Sequence, residues 1–159
     1  MNITILCVGQ IKEKFYRDAI AEYSKRLSRY VKLRIVEVSD AKTKENASVA
    51  ETEGVLRKEG ERILKHIRED DYCITLEIEG KNLDSMTLSN HLQHLGVMGK
   101  SNVVFVIGGS LGLDESIKRR SDYALSFSAM TFPHQLMRVI LLEQIYRSFR
   151  IMNNEPYHK

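Results

Sequence analysis

Residues 103–115 read VVFVIGGSLGLDE: an apolar run, a pair of glycines, and a polar stretch that opens a short helix. A strand that is apolar at every position is buried on both faces, as a central strand of a parallel sheet is. The glycines mark its carboxyl end, where open parallel sheets bind their ligands. Gly108-Gly109-Ser110-Leu111-Gly112 also fits G-x-S-x-G, the nucleophile elbow of a serine hydrolase. That fold delivers an acid and then a histidine from loops after the nucleophile strand. Here only one further strand and one long helix follow Ser110, with Asp114, Asp122, His134 and His158 as possible partners. That leaves too little sheet to present both, and the charged DESIKRR is unlike the buried helix behind an elbow. Gly108-Gly109-x-x-Gly112 departs from the dinucleotide fingerprint, and GVMGKS (96–101) has the wrong glycine spacing for a P-loop. Two readings remain: glycines that let the backbone approach a ligand, or a tight strand-to-helix turn.

On either side of this stretch, strand and helix patterns alternate. Residues 2–8, LRIVEV (33–38), ITLEIEG (74–80) and YALSFS (123–128) read as strands. Between them, Tyr16, Ile20, Tyr23, Leu27 and Tyr30 recur at helical spacing. Ser48 with Glu51 has the form of a capping box ahead of Leu56, Ile63 and Ile67. Ser85 is expected to cap a shorter helix bearing Leu88, Leu92 and Leu95, and Pro133 to open the last helix at its first turn. The alternation predicts an α/β fold with a mainly parallel sheet and helices on both faces. Three loops fall beyond strand carboxyl ends: Glu79-Gly80-Lys81, Gly108 to Gly112, and Ser128 to Phe132.

At 159 residues the chain is expected to form a single domain, residues 1–159, with an ordinary core. No stretch has the length of a membrane span, and the opening MNITILCVGQ lacks the basic start and cleavage site of a signal peptide. Cys7 and Cys73 sit inside strands without metal-ligand spacing, so both read as buried thiols in a reducing cytoplasm. His91 and His94 are three apart on one helix with no third ligand in sight, so they are expected to be solvated and no metal is predicted. Residues 1–36 carry eight Lys/Arg against three Asp/Glu, residues 37–90 eight against thirteen, and residues 91–159 eight against five. Basic ends around an acidic middle suit a polyanionic partner, although a solvated surface explains them too.

The last helix is apolar over more of its circumference than a surface helix needs, from Leu136 to Phe149. The surplus predicts a homodimer built on this helix. The combination of FVIGGSLG, LSFSAMTFPHQLMRVILLEQIYRSFRI and the terminal EPYHK resembles the ribosomal RNA large subunit methyltransferase H family, within the SPOUT superfamily of trefoil-knotted methyltransferases. The resemblance extends over the whole chain, including MNITILCVGQIKEKF and LEIEGK.

It implies a SPOUT-type fold with a C-terminal trefoil knot, a homodimer, and S-adenosylmethionine bound in the knotted loops. The implied reaction is methylation of N3 of a pseudouridine in large-subunit (23S) rRNA on the assembled ribosome. The cofactor positions it implies are Leu76, Gly108, Phe127, Ser128, Ala129, Met130, Thr131 and Phe132. A neutral imide nitrogen must lose its proton to become a nucleophile. His158 and Tyr157 on the tail are the candidates to help, with Arg138 as a stabiliser of the developing anion. The tail is expected to close over the cofactor of its own or the partner subunit, and His134 to shape the start of the last helix. Phosphate contacts are expected from Lys14, Arg17, Lys25, Arg26 and Arg147 or Arg150. A non-catalytic ribosome-binding assembly factor of the same fold is the alternative, distinguished by failure to bind S-adenosylmethionine.

Overall fold

A computed structural model describes residues 1–159 as five strands and five helices: β1 (Asn2–Val8), α1 (Lys14–Leu27), β2 (Lys32–Val38), α2 (Val49–Leu64), β3 (Tyr72–Asn82), α3 (Ser85–Val97), β4 (Asn102–Ile107), α4 (Glu115–Arg120), β5 (Tyr123–Ser126) and α5 (His134–Met152). All strand pairs are parallel, in the order β2-β1-β4-β3-β5. Side-chain alternation then sorts the core into two layers. Ile3, Ile5 and Cys7 with Val103, Phe105 and Ile107 face α1, α3 and α5. Leu6 and Val8 with Val104 and Val106 face α2 and α4. The double burial expected of VVFVI is therefore real, and each such side chain contributes about 1.5–3 kcal/mol on leaving water. Desolvation pushes the two buried thiols up, Cys7 to about 12 and Cys73 to about 11, so neither is a thiolate at neutral pH.

Several local expectations are corrected. ITLEIEG does not alternate to its end: Ile74 and Thr75 are both buried, whereas Ile78 is exposed. After Leu76 pairs with Leu125, the register jumps so that Lys81 meets the same residue. Gly80 allows this, because a Cβ there would lie 2.8 Å from the Ala124 backbone. The Ser126 hydroxyl then holds the displaced segment by donating to Ile78 O at 2.9 Å. Asp84 caps α3 in place of Ser85, accepting from Thr87 N at 2.7 Å, and Ser85 becomes the first helical residue. Pro133 is the cap of α5 and His134 its first residue. Ser48 does cap α2 by accepting from Glu51 N at 3.2 Å.

The argument from surplus apolar surface also changes. Helix α5 packs against both α1 and α3, and none of its residues is exposed. Leu141, Leu142, Ile145 and Phe149 are buried within the chain itself. Much of the apolar circumference is thus used by flanking helices, which a helical wheel does not display.

At its far end α5 stops in a Schellman turn. Asn154 has φ 53°, its N–H donates to Ile151 O at 3.1 Å, and Glu155 N donates to Arg150 O at 2.9 Å. The chain reverses there and runs back along the helix. Glu155 pairs with Arg150 and accepts from the Tyr30 hydroxyl at 2.9 Å, and Arg150 Nη2 donates to Pro156 O at 2.9 Å. The last residues are anchored, not frayed.

Candidate functional site

Beyond the carboxyl ends of β4 and β5, beside the register break of β3, lies an open cleft of about 640 Å³. Three segments build it: Leu76 to Ile78, Ile107 to Leu113 without the loop tip, and Leu125 to Phe132. The start of α5 closes it with His134 and Met137. Of the cofactor positions named from sequence, Leu76, Gly108, Phe127, Ser128, Met130, Thr131 and Phe132 all line this cleft, and Ala129 does not. The middle of β3 contributes Leu76, Glu77 and Ile78 in place of the expected loop Glu79-Gly80-Lys81, which is part of β3 and is carried away from the cleft by the register jump.

Nine of the sixteen lining residues are hydrophobic, and the cleft holds no Lys or Arg. Its polar capacity is mainly backbone. Residues 129–132 make no backbone–backbone hydrogen bond, so donors and acceptors remain available in Ala129, Thr131 and Phe132. Met130 N is satisfied by the Ser128 hydroxyl at 3.0 Å. An apolar slot edged by free amides suits a flat heteroaromatic ring with donors and acceptors on its rim, as adenine has. The residues present fit S-adenosylmethionine in that respect.

The tight-turn reading of the glycines holds at Gly108. Gly108 lines the cleft, but a Cβ there would sit 2.5 Å from Gly112 O and 3.1 Å from Leu113 Cδ2. The absence of a side chain is required by the closure of the loop on itself, and the cleft benefits from the resulting shape. Gly108→Ala is expected to displace the 108–112 loop, costing about 1–3 kcal/mol of stability and weakening ligand binding with it. Thermal unfolding and ligand titration of the variant check both effects.

His134 is the residue whose part the sequence underrated. It forms one wall of the main cleft and also borders two more polar clefts beside Gly9 and Asp40. Burial, then the Arg138 cation, hold its imidazole below its ordinary value. His91 is not solvated as expected: its ring lies 4.5 Å from that of Tyr123 and its Nε2 is buried without a partner. Burial lowers its pKa as well. Both imidazoles gain protons more readily in the unfolded chain, so stability is greatest above the ordinary imidazole value of 6.5 and falls as pH drops below it. Denaturant midpoints at about pH 8 and about pH 6 should differ in that direction.

The three residues named for proton handling do not line the cleft. Arg138 is 1% exposed. Its guanidinium donates to Glu37 Oε2 at 2.7 Å, Val8 O at 3.0 Å and Gly9 O at 2.7 Å, tying the start of α5 to the end of β1. Tyr157 packs edge-on against Tyr146 at 5.0 Å and lies under the Arg147 guanidinium at 4.6 Å. Its hydroxyl donates to Glu143 Oε1 at 3.3 Å, and burial followed by the Glu143 charge raises its pKa. His158 is exposed, with Nδ1 3.3 Å from Arg147 Nη1. Tyr157 and His158 thus lie together near the middle of α5. Glu143 is six residues beyond Met137, about 9 Å along the helix axis from the cleft wall.

Most cations named for phosphate contact are engaged within the chain. Lys14 pairs with Asp18, Arg26 with Glu22, Arg147 with Glu143 and Arg150 with Glu155. Arg17 donates to Lys12 O at 2.6 Å. No group of three or more His, Cys, Asp or Glu side chains is arranged to hold a metal ion, and no helix is long and apolar enough to cross a membrane.

Comparison with known proteins gives a consistent picture. A family model described as "Predicted SPOUT methyltransferase" matches residues 1–158. Ribosomal RNA large subunit methyltransferase H of Bifidobacterium adolescentis is 61% identical over all of both chains. The protein of that name from Clostridium kluyveri is 55% identical, again over the full length of both. A Methanococcus vannielii protein with the same name, given provisionally, is 62% identical over the same extent.

Proposed function

The chain belongs to the ribosomal RNA large subunit methyltransferase H family of SPOUT methyltransferases, and from that membership we propose that it methylates N3 of a pseudouridine in large-subunit rRNA on the assembled ribosome. The observation that carries the reading is the apolar cleft at the sheet's carboxyl end, lined by Leu76, Gly108 and most of Phe127 to Phe132. S-adenosylmethionine, when bound, supplies an activated methyl group. The chain's own task is then to align the acceptor and remove its proton. The backbone groups of Thr131 and Phe132 would hold the adenine edge, with Leu76, Phe127 and Met137 excluding water from its faces. Threading of the C-terminal helix through a loop of the chain belongs to the same proposal, as does a single domain working in the cytoplasm beside the ribosome.

The proposed active unit is a homodimer through α5. What supports it is the tail: Tyr157 and His158 are held against Glu143 and Arg147 of their own helix, away from their own cleft. In the proposed dimer each tail serves the partner's cleft. His158, exposed and free of a carboxylate partner, is then the proton acceptor. Tyr157, kept protonated by burial, acts as a hydrogen-bond donor to the base. Arg138 is a positioning residue whose contacts fix the helix start bearing His134 and Met137.

The test uses labelled S-adenosylmethionine with ribosomes from a strain lacking the corresponding gene, or with rRNA stripped from them. Label entering the ribosomes and scarcely the naked rRNA, and mapping to N3 of a pseudouridine, is the expected result. Cofactor binding without transfer to either substrate would overturn the substrate assignment. No cofactor binding would favour an assembly factor.

A further inference from the structure

At the opposite end of the sheet from the cofactor cleft lies a second, more polar cleft. It is lined by Lys32 and Arg34 of β2, by Lys65, His66 and Arg68 just beyond α2, and by Asp71 and strand residues including Asn2 and Asn102. Four permanent cations therefore face one carboxylate. That carboxylate is already committed: Asp71 is 6% exposed and accepts from Arg68 N at 2.8 Å and Arg68 Nη2 at 3.2 Å. None of the ion pairs in the chain involves Lys32, Arg34 or Lys65.

Lys65 makes this pointed. Glu61 stands four residues before it in the last turn of α2, the spacing at which helical ion pairs form, yet Lys65 does not pair with it. The contrast with α1 and α5 is direct, since their arginines and Lys14 are largely neutralised within the chain. Two ordinary explanations cover parts of the cluster. Charges on an edge strand such as β2 discourage pairing with other chains, and basic residues after α2 complement its dipole. Neither explains why both sets converge on one concavity, where like charges repel.

We infer that this cleft holds the phosphodiester backbone of RNA. It is too polar for an apolar ligand, and its space, about 1000 Å³ opening to solvent, runs across the ends of β2, β1 and β4. Asn2 and Asn102, joined by a 2.8 Å hydrogen bond across those ends, supply neutral donors and acceptors beside the cations. The seven residues of β1 separate the two clefts by about 20 Å. The contacted RNA is therefore a stretch remote from the target base. Such a contact suits a substrate that is a folded particle, and to that extent the inference rests on the proposed function.

The experiment compares wild type with the K32Q, R34Q, K65Q triple variant, all exposed positions, and with R34Q alone. Binding to ribosomes lacking the modification is measured over a series of salt concentrations, with S-adenosylmethionine affinity and methyl transfer read alongside. The triple variant should bind about tenfold or more weakly near 0.1 M salt, with a log–log salt slope shallower by about 2 to 3. R34Q alone should lower the slope by about 1. Cofactor affinity should be unchanged in both. Variants that keep the wild-type affinity and slope while binding cofactor normally would overturn the inference. A wild type that transfers no methyl, but whose particle binding still loses that slope in the variants, would sink the proposed reaction and leave the cleft's ligand standing.

Discussion

Arg138→Met is expected to lower the stability of the fold by about 3 kcal/mol, and the melting temperature by about 10 °C. The guanidinium is buried under the start of α5 and serves two carbonyls, Val8 O and Gly9 O, as well as Glu37. Methionine fills similar volume but leaves both carbonyls without that donor, each at about 1–3 kcal/mol. Glu37 adds less, since its side chain is 37% exposed and water can replace its partner. Arg138→Lys should recover only part of the loss, because one ammonium on a shorter reach cannot reproduce the fork. The effect on activity follows the effect on structure. If Arg138 acted on the reacting base itself, Arg138→Lys would keep the melting temperature and lose turnover. A variant of that kind would overturn the positioning role. Thermal unfolding alongside kcat and KM separates the two.

The second large effect is on catalysis. Removing Tyr157–Lys159 should cut methyl transfer by about 100-fold or more, the usual contribution of a placed proton acceptor. Cofactor affinity should hardly change, because no tail residue lines the cleft. Stability should fall slightly, as Tyr146 loses its edge-on neighbour. Mixed dimers test which cleft the tail serves. A tail-deleted subunit is combined with one whose cleft is blocked by Gly108→Arg, a substitution for which the loop has no room. If the tail works on the partner, the mixture regains activity that neither parent has. A tail that serves its own cleft gives no recovery, and full activity of the deleted chain alone would remove the tail from the reaction.

The sequence was most legible where periodicity reports burial directly. VVFVI had to lie between two layers because it has no polar face, and the alternation of strand and helix required a parallel sheet. The loops after β4 and β5 followed from that topology, so the region of the cleft could be located in advance, whereas the loop expected at 79–81 is part of β3. Local chemistry was less secure at particular residues. Asp84 and Ser85 are both good caps, and only the backbone geometry selects Asp84. ITLEIEG alternates well enough to read as one strand, yet the close approach of Gly80 to Ala124 breaks its register.

The chain's order of residues thus determined the α/β layers, the parallel sheet, the end of it that forms the cleft and, through resemblance, the family. Tertiary structure alone decided the fate of the charged groups. Arg138 reads from the sequence as a stabiliser of a developing anion and is a buried tie; His134 reads as part of a helix start and is a wall of the cleft. The reason is physical. Burial in strands and helices repeats with a period that a sequence displays, whereas a charge's partner is set by which distant segments meet in space, and that is fixed only when the sheet and its helices have closed on one another.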